Sequence, residues 1–312
     1  MPTLKLLTAP SHPDGSHQIG SPGGYEFWHF HADDPSQRLR LSIAFYDGFT
    51  SHPEYARRYT AYRRNPTRNA PPTPSQYPCL QANIFENEKS LASSTAYFPA
   101  GSFHAADGPS IALGSSRAIF RENEIALTIS EAHQAIAAEL TFEPIFALTA
   151  PIEKAFPTDK NGTADHFWIP ARPLCNVHGQ IRIGDRTILF TGLGQHNHYY
   201  GLAPYSTVAA RWIRGCVLLP RAAELFQAAD DRAIAIAAGE SGIHSVDNPP
   251  FTAEWKPRMI SRPSHPTTIS VGDRLILRNP RIAASSPKQM QIVYDAYVEG
   301  EQATAWVEID RG

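Results

Sequence analysis

The sequence predicts an all-β protein made of two antiparallel barrel or sandwich halves with few short helices. Three hairpins are visible, at 181–190, 269–277 and 291–309, where alternating apolar residues flank short turns. The chain has 27 prolines in 312 residues, which disfavours long helices and suits short strands joined by turns. A chain of this length exceeds what one hydrophobic core usually supports. Two domains are therefore expected, 1–155 and 156–312, with the boundary in a proline-rich stretch.

The individual elements follow from periodicity and from turn residues. Apolar residues alternate with polar or small ones at 39–45 and again at 125–129, which predicts two strands. The segment 135–142 is consistent with a strand, although its alanines leave a helix open. One short helix is predicted at 221–229, where alanine, leucine and glutamate follow a proline. The proline-rich segment 63–78 is predicted to be a long loop, either a lid or a solvated surface loop.

Composition excludes several functional classes. The formal net charge is -2 and the isoelectric point is about 6.7, so a dedicated nucleic-acid binder is not expected. Cys79, Cys175 and Cys216 are far apart and form no C-x-x-C pair, which favours free thiols. We find no glycine-rich phosphate loop, no signal-peptide pattern and no apolar run long enough to span a membrane. The sequence thus predicts a soluble cytoplasmic protein without a cofactor, and it does not predict the oligomeric state.

Two short aromatic segments, called islands here, also contain acidic or histidine residues of the kind that act in catalysis. In the first, at 25–31, Glu26 and Trp28 would share one face of a strand. Glu26 is then either a pocket carboxylate with a raised pKa or an edge residue in water. In the second, at 165–170, His166 and Trp168 would share a face, and His166 is then either part of a pocket or a hydrogen-bonded histidine of the core.

A third island, at 194–201, is a dense polar and aromatic run that follows an apolar strand. Alternation divides six of its residues between two faces, with Gln195, Asn197 and Tyr199 on one and His196, His198 and Tyr200 on the other. A His-x-His pair on a strand can bind a metal, but spacing identifies no third ligand, and no metal is predicted. This many polar groups would rarely all find hydrogen-bond partners in a core without water. The run is therefore expected to line a pocket or a domain interface.

The order and spacing of these islands resemble the carotenoid 1,2-hydratase (hydroxyneurosporene synthase) family. The matching segments are Pro-Gly-Gly-Tyr at 22–25 with its aromatic continuation, His-x-Trp-x-Pro at 166–170, and the glycine-rich segment 192–198. Tyr294, near the end of the chain, also falls where the family has a similar residue. That family is one of the tandem lipocalin-like proteins, which include lipocalin-type Diels–Alderases and cyclases. The resemblance implies two lipocalin-like halves with a ligand cavity in or between them.

The sequence departs from the family where the chemistry is expected. In the hydratases, His-x-Trp and Tyr-x-Asp segments are implicated in adding water to an isolated alkene. Here His166 and Trp168 are retained, but Gln195 replaces the tyrosine and Asn197 replaces the aspartate. A carboxamide donates and accepts hydrogen bonds but has no acidic proton to give.

The leading functional hypothesis is a cofactor-independent enzyme that acts on a hydrophobic, unsaturated metabolite of terpenoid or polyketide type. The reaction is cyclisation, isomerisation, or addition or elimination of water. Gln195 and Asn197 would bind a substrate oxygen, and His166 would act as general acid or base. The residues expected to line the pocket or bind substrate are Glu26, Trp28, Trp168, Tyr199, Tyr200 and Tyr294.

Two alternatives stay open at this point. The first is a hydratase or dehydratase whose acid has moved, with His196 or Glu26 as the candidate and with His198 and Asp165 as further possible acids. The second is a non-catalytic carrier of lipids or isoprenoids, because loss of the family acid fits a binder equally well.

Overall fold

A computed structural model of the chain describes residues 13–105, 110–131, 136–146, 152–157, 164–230, 232–255, 264–286 and 289–311. These residues form mostly antiparallel β-strands, which confirms the predicted fold class. The chain divides into two compact units. Unit 1 comprises Met1–Ile84 and Leu91–Val208, and unit 2 comprises Phe85–Ser90 and Ala209–Gly312.

The first sheet has twelve strands in the described part of the chain. Its elements, with the helices between them, are β1 Tyr25–Asp34, β2 Leu39–Asp47, α1 Pro53–Arg64, a 3₁₀ turn Pro74–Gln76, β3 Cys79–Glu86, β4 Lys89–Tyr97, β5 Phe103–Ala105, β6 Ser110–Leu113, β7 Ser116–Phe120, β8 Ile125–Glu131, β9 Ile136–Pro144, β10 Lys154–Pro157, β11 Ala164–Ile183, β12 Arg186–Gly201 and α2 Tyr205–Val208. The strand order is β4-β3-β2-β1-β12-β11-β9-β8-β7-β6-β5, and β10 pairs with β11. The first strand, β1, therefore pairs with the last strand, β12.

The second sheet has nine strands among the described residues. They are β13 Arg211–Leu219, β14 Ala222–Ala229, β15 Arg232–Gly239, β16 Gly242–Asp247, β17 Phe251–Trp255, β18 Pro266–Val271, β19 Leu275–Ser285, β20 Gln289–Val298 and β21 Glu301–Arg311. Their order is β16-β15-β14-β13-β21-β20-β19-β18-β17, so β13 pairs with β21. Both sheets thus follow one plan, in which neighbours along the chain pair and the first strand meets the last, as in up-and-down barrels.

The division of the chain differs from the expected boundary at residue 155. Strands β11 and β12 lie beyond that point, yet they belong to the first sheet because β12 pairs with β1 along nine residue positions. Unit 1 consequently continues to Val208. The sequence places a proline-rich stretch near 150–162, but the pairing partner of β1 comes after that stretch.

The helix predicted at 221–229 is wrong, because those residues form strand β14. It pairs with β13 on one side and with β15 on the other. Alanine favours a helix over other residues by less than about 1 kcal/mol per residue, which two ladders of backbone hydrogen bonds outweigh. The open choice at 135–142 is settled as a strand for 136–142, which belong to β9, whereas residue 135 lies outside the described residues. The structure also has helix α1, part of which lies in the segment expected to be a loop.

Each unit has its own apolar core. The core of unit 1 is one cluster of buried apolar residues, to which strands from both edges of the first sheet contribute. It includes Trp28, Phe30, Phe120 and Phe142. In unit 2, Tyr294 is fully buried in the corresponding cluster, and its hydroxyl donates a hydrogen bond to the Pro266 carbonyl at 2.8 Å. In the part of the chain that the structure describes, no helix has the length and apolar character needed to cross a membrane.

Candidate functional site

Strands β1, β11 and β12 lie side by side in unit 1 and carry all three islands. Trp28 pairs with His198 and His29 with Asn197, and partners opposite each other in an antiparallel pair project to the same side. One side, the core face, carries Trp28 and His198 and joins the apolar core of unit 1. The other side, called here the opposite face, carries His29 and Asn197. The predicted division of the 194–201 island between two faces is confirmed.

On the opposite face, Tyr25 and His166 form a hydrogen-bonded pair between the tyrosine hydroxyl and Nδ1 of the imidazole. Both residues pair with Gly201, so the three form a row across β1, β12 and β11. A Cβ atom at Gly201 would lie 2.5 Å from the Tyr25 hydroxyl oxygen. The glycine is therefore what lets the Tyr25 ring cross β12 to reach His166.

A chain of amide hydrogen bonds lies next to this pair. The Trp168 indole Nε1 donates to Asn197 Oδ1 at 2.9 Å, and Asn197 Nδ2 donates to Gln195 Oε1 at 3.0 Å. Because the indole nitrogen can only donate, the orientation of both amides is fixed. Gln195 Nε2 is left as the terminal donor of the chain, and it has no hydrogen-bond partner among the described residues.

Aromatic rings surround these polar groups. Tyr199 stacks on Phe27 with ring centroids 4.6 Å apart, and Tyr205 of α2 stacks on Tyr25 at 4.4 Å. The Trp168 and Tyr199 rings are nearly parallel, at 6.4 Å. The opposite face therefore presents neutral hydrogen-bonding groups within an aromatic wall. No sequence pattern marked Tyr205, which lies in a four-residue helix outside the three islands.

The core face is different, because its imidazoles are paired with carboxylates. Glu26 Oε1 accepts hydrogen bonds from His17 Nδ1 at 2.8 Å and from His198 Nε2 at 2.9 Å, and also from the His17 backbone N–H. Glu26 Oε2 accepts from the Ser16 hydroxyl at 2.8 Å. Burial by itself would raise the pKa of Glu26, but the hydrogen bonds and positive charges of His17 and His198 lower it to about 2. Neither sequence alternative for Glu26 holds, since it is fully buried and its pKa is lowered.

A second ion-paired group lies beside the first. His196 Nε2 is 3.0 Å from Asp14 Oδ1, and Arg172 Nη2 is 3.7 Å from Asp14 Oδ2. The Trp28 indole donates to the Asp14 carbonyl at 2.9 Å. Burial opposes ionisation of Asp14, yet its hydrogen bond with His196 and the nearby charges, including Arg172, lower its pKa. Asp14 and His17 both come from the segment that precedes β1, which the sequence did not single out.

Asp47 adds a further carboxyl group to the core face. It pairs with Glu26 across β1 and β2, so the two side chains project to the same side. Burial, and to a lesser extent the charge of Glu26, raises the pKa of Asp47 to about 7. Its Oδ1 atom is buried and has no hydrogen-bond partner among the described residues.

The predicted site residues therefore fall into three groups. His166, Trp168, Gln195, Asn197 and Tyr199 meet on the opposite face, whereas Glu26, Trp28, His196, His198 and Tyr200 lie on the core face. Tyr294 belongs to the core of unit 2. A single site that uses both His166 and His198 directly is excluded, because the sheet separates the two side chains.

Comparisons with known proteins support the predicted resemblance. No family model matches the chain. A hydroxyneurosporene dehydrogenase from Chlorobaculum tepidum is 24% identical over 224 residues, which cover 67% of this chain and 57% of that protein. The match thus spans little more than half the length of that relative. The resemblance to the carotenoid 1,2-hydratase family is confirmed at this level of similarity.

Solved structures show the fold. An AttH candidate from Nitrosomonas europaea superposes with a TM-score of 0.66 at 12% identity, covering 99% of this chain and 98% of that one. Kievitone hydratase from Nectria haematococca gives a TM-score of 0.59 at 9% identity, with 99% and 95% covered. CghA with Sch210972 gives 0.55 at 10% identity, with 99% and 97% covered. The chain has the tandem lipocalin-like fold that the sequence predicts.

Proposed function

We propose that this protein is a hydratase- or cyclase-type enzyme whose active site lies on the opposite face of β1, β11 and β12. The observation that carries the proposal is the Tyr25–His166 pair beside the oriented Trp168–Asn197–Gln195 chain. The substrate is a hydrophobic, unsaturated metabolite of terpenoid or polyketide type. The names of the similar proteins, hydroxyneurosporene dehydrogenase and kievitone hydratase, support this substrate class.

The proton in this reaction is assigned to the Tyr25–His166 pair. An imidazole exchanges protons near neutral pH, and a hydrogen bond at Nδ1 fixes the orientation of its ring. The family positions that carry a tyrosine and an aspartate are amides here, at Gln195 and Asn197, and amides supply no proton. His166 is therefore the general acid or base, and Tyr25 positions it.

The amide chain is assigned to the substrate oxygen. Asn197 Oδ1 is engaged by Trp168 and Gln195 Oε1 by Asn197, which leaves N–H groups of both amides free to donate to a substrate. Donors that are oriented before the substrate arrives stabilise negative charge that develops on a carbonyl or hydroxyl oxygen. Phe27 and Tyr199 supply the apolar wall that holds an unsaturated chain in one conformer.

The geometry disfavours a relocated acid at His196, His198 or Glu26. All three side chains project to the core face, on the other side of the sheet from His166. They also hold one another or Asp14 in buried ion pairs. A carrier function is the remaining alternative, and the experiment below separates it from catalysis.

The test is incubation of the protein with kievitone, and separately with neurosporene, in ¹⁸O-labelled water. Mass spectrometry should show a product about 20 Da heavier for water addition, or an isomer of equal mass and altered retention for cyclisation or isomerisation. His166→Ala should lower the rate about 100-fold or more, the range of general acid–base catalysis. Asn197→Ala should also lower turnover sharply while circular dichroism shows the fold intact.

Matched controls come from exposed positions of β11. His178→Ala and Asn176→Ala remove the same residue types from the same strand and should leave the rate within about twofold. Full activity of His166→Ala on a substrate that the wild type converts would overturn the assignment. Stoichiometric binding of both probes with release of unchanged compound would favour a carrier.

A further inference from the structure

His17, Glu26 and His198 bring three metal-ligating side chains together on the core face. Their ligand atoms lie within 4.8 Å of one another, and all three residues are buried. We propose that this cluster binds a divalent transition-metal ion, zinc by preference, which fastens the segment 13–20 to strands β1 and β12. The proposal concerns the other side of the sheet from the proposed active site and does not depend on it.

The set of donors fits zinc. Two imidazole nitrogens and one carboxylate are ligands that zinc uses, with a fourth position left for water. Glu26 Oε1 is 2.8 Å from His17 Nδ1 and 2.9 Å from His198 Nε2. Ligand atoms of a tetrahedral zinc ion with bonds of about 2.0–2.1 Å lie roughly 3.4 Å apart. Each of these two pairs therefore needs to separate by only about half an ångström, as the ion replaces the two N–H protons.

Groups behind the ligands orient them as they do in metal sites. His198 Nδ1 is 3.0 Å from the Pro13 carbonyl oxygen, a contact that would keep the proton on Nδ1 when the ion replaces the proton of Nε2. The Ser16 hydroxyl donates to Glu26 Oε2. The His17 ring stacks on Tyr200, with centroids 3.8 Å apart. Each ligand is thus held by a partner other than the ion.

Charge favours a cation at this position. Both ring nitrogens of His198 face oxygen atoms, those of the Pro13 carbonyl and of the Glu26 carboxylate. Asp47 pairs with Glu26 and adds a second carboxyl group on the same face.

The His-x-His pair itself is not the chelating unit. His196 directs Nε2 to Asp14 and Nδ1 to the His29 carbonyl. The third ligand is His17, which precedes β1, and for that reason spacing along β12 could not identify it.

The experiment uses the full chain without a histidine tag. After equilibration with Zn²⁺ and gel filtration, mass spectrometry of the metal should find about one zinc per chain. The midpoint of thermal unfolding should rise with Zn²⁺ concentration, because the ion binds the folded state. Glu26→Gln and His17→Ala should weaken zinc binding at least about 100-fold, and Ser16→Ala by about 10-fold. His178→Ala, which removes an exposed histidine of β11, should bind zinc as the wild type does.

Several results would overturn the proposal. These are wild type without stoichiometric zinc, Glu26→Gln that binds as tightly as wild type, or His178→Ala that loses as much zinc as His17→Ala. If the ligand variants fail to fold, wild type loaded with Co²⁺ gives the answer. Visible absorption bands of four-coordinate Co²⁺ support the site, and their absence from the folded, Co²⁺-equilibrated protein contradicts it.

Discussion

The two faces of β1 and β12 place the same residue types in opposite electrostatic settings. On the core face, His196 and His198 each contact a carboxylate, from Asp14 and Glu26 respectively. On the opposite face, His166 contacts the hydroxyl of Tyr25, and the neighbouring polar groups are amides and an indole. Successive residues of each strand project to alternate faces, so only the backbone of the sheet separates the two settings.

This difference decides which histidine can move a proton. Burial lowers the pKa of His196, although the hydrogen bond and charge of Asp14 oppose this shift, and both of its ring nitrogens are already held by oxygen atoms. An imidazole beside a phenol has a neutral partner that donates or accepts a hydrogen bond without fixing the charge. The buried carboxylates and the proposed proton transfer therefore lie on different sides of one strand pair.

The largest expected effect comes from breaking the core face at Asp14. Asp14→Ala leaves His196 and Arg172 buried without their shared carboxylate, and loss of one partner of a buried ion pair costs about 3–5 kcal/mol. Urea denaturation followed by circular dichroism measures the change in the free energy of unfolding. Glu122→Ala, at an exposed loop position, is the control and should change it by less than about 0.5 kcal/mol. A loss below about 1 kcal/mol for Asp14→Ala would show that this network does not stabilise the fold.

A smaller effect is expected when the opposite face is disturbed at Gly201. Gly201→Ala places a methyl group against the Tyr25 ring and should cost about 1–3 kcal/mol as an overpacked site. It should also slow the proposed reaction, because Tyr25 moves away from His166. Gly20→Ala is the control, since a Cβ atom there meets nothing within 4 Å.

A double-mutant cycle tests the cause of the Gly201 effect. If the clash with the Tyr25 ring is responsible, Gly201→Ala should cost at least about 0.5 kcal/mol less in a Tyr25→Ala background. Equal costs in both backgrounds would place the strain elsewhere.

The two faces could be predicted from the sequence because they depend on alternation alone. Once 194–201 is a strand, Gln195 and Asn197 must lie on one side and His196 and His198 on the other. The hairpin turns were equally local, as at Gly184-Asp185 between Ile183 and Arg186. Local patterns of this kind predict the structure correctly unless pairing with other strands favours a different conformation.

The partners of these residues could not be predicted, because they come from distant parts of the chain. Asp14 lies 182 residues from His196, and Tyr25 lies 141 residues from His166. No periodicity marks the segment 13–20, which forms no regular strand or helix. The helix predicted at 221–229 is wrong for a related reason, since its alanines give a local preference that two neighbouring strands outweigh.

The smallest expected effect concerns a second buried aspartate, Asp34, at the far end of β1. Unlike Asp14, it is held by neutral donors, namely the Ser36 hydroxyl at 2.6 Å, the Gln37 amide at 2.7 Å and the Thr191 backbone N–H at 3.2 Å. Burial raises the pKa of Asp34, but these hydrogen bonds outweigh burial and lower it below its usual value. A lowered pKa in the folded state contributes stability above the pKa of the unfolded chain, about 3.9, and loses it as the pH falls further. Asp34→Asn should therefore cost about 1 kcal/mol at pH 7 and less at pH 3, as measured by urea denaturation at both values. A cost that is the same at pH 3 and pH 7 would mean that Asp34 stabilises the strand end by its shape rather than by its charge.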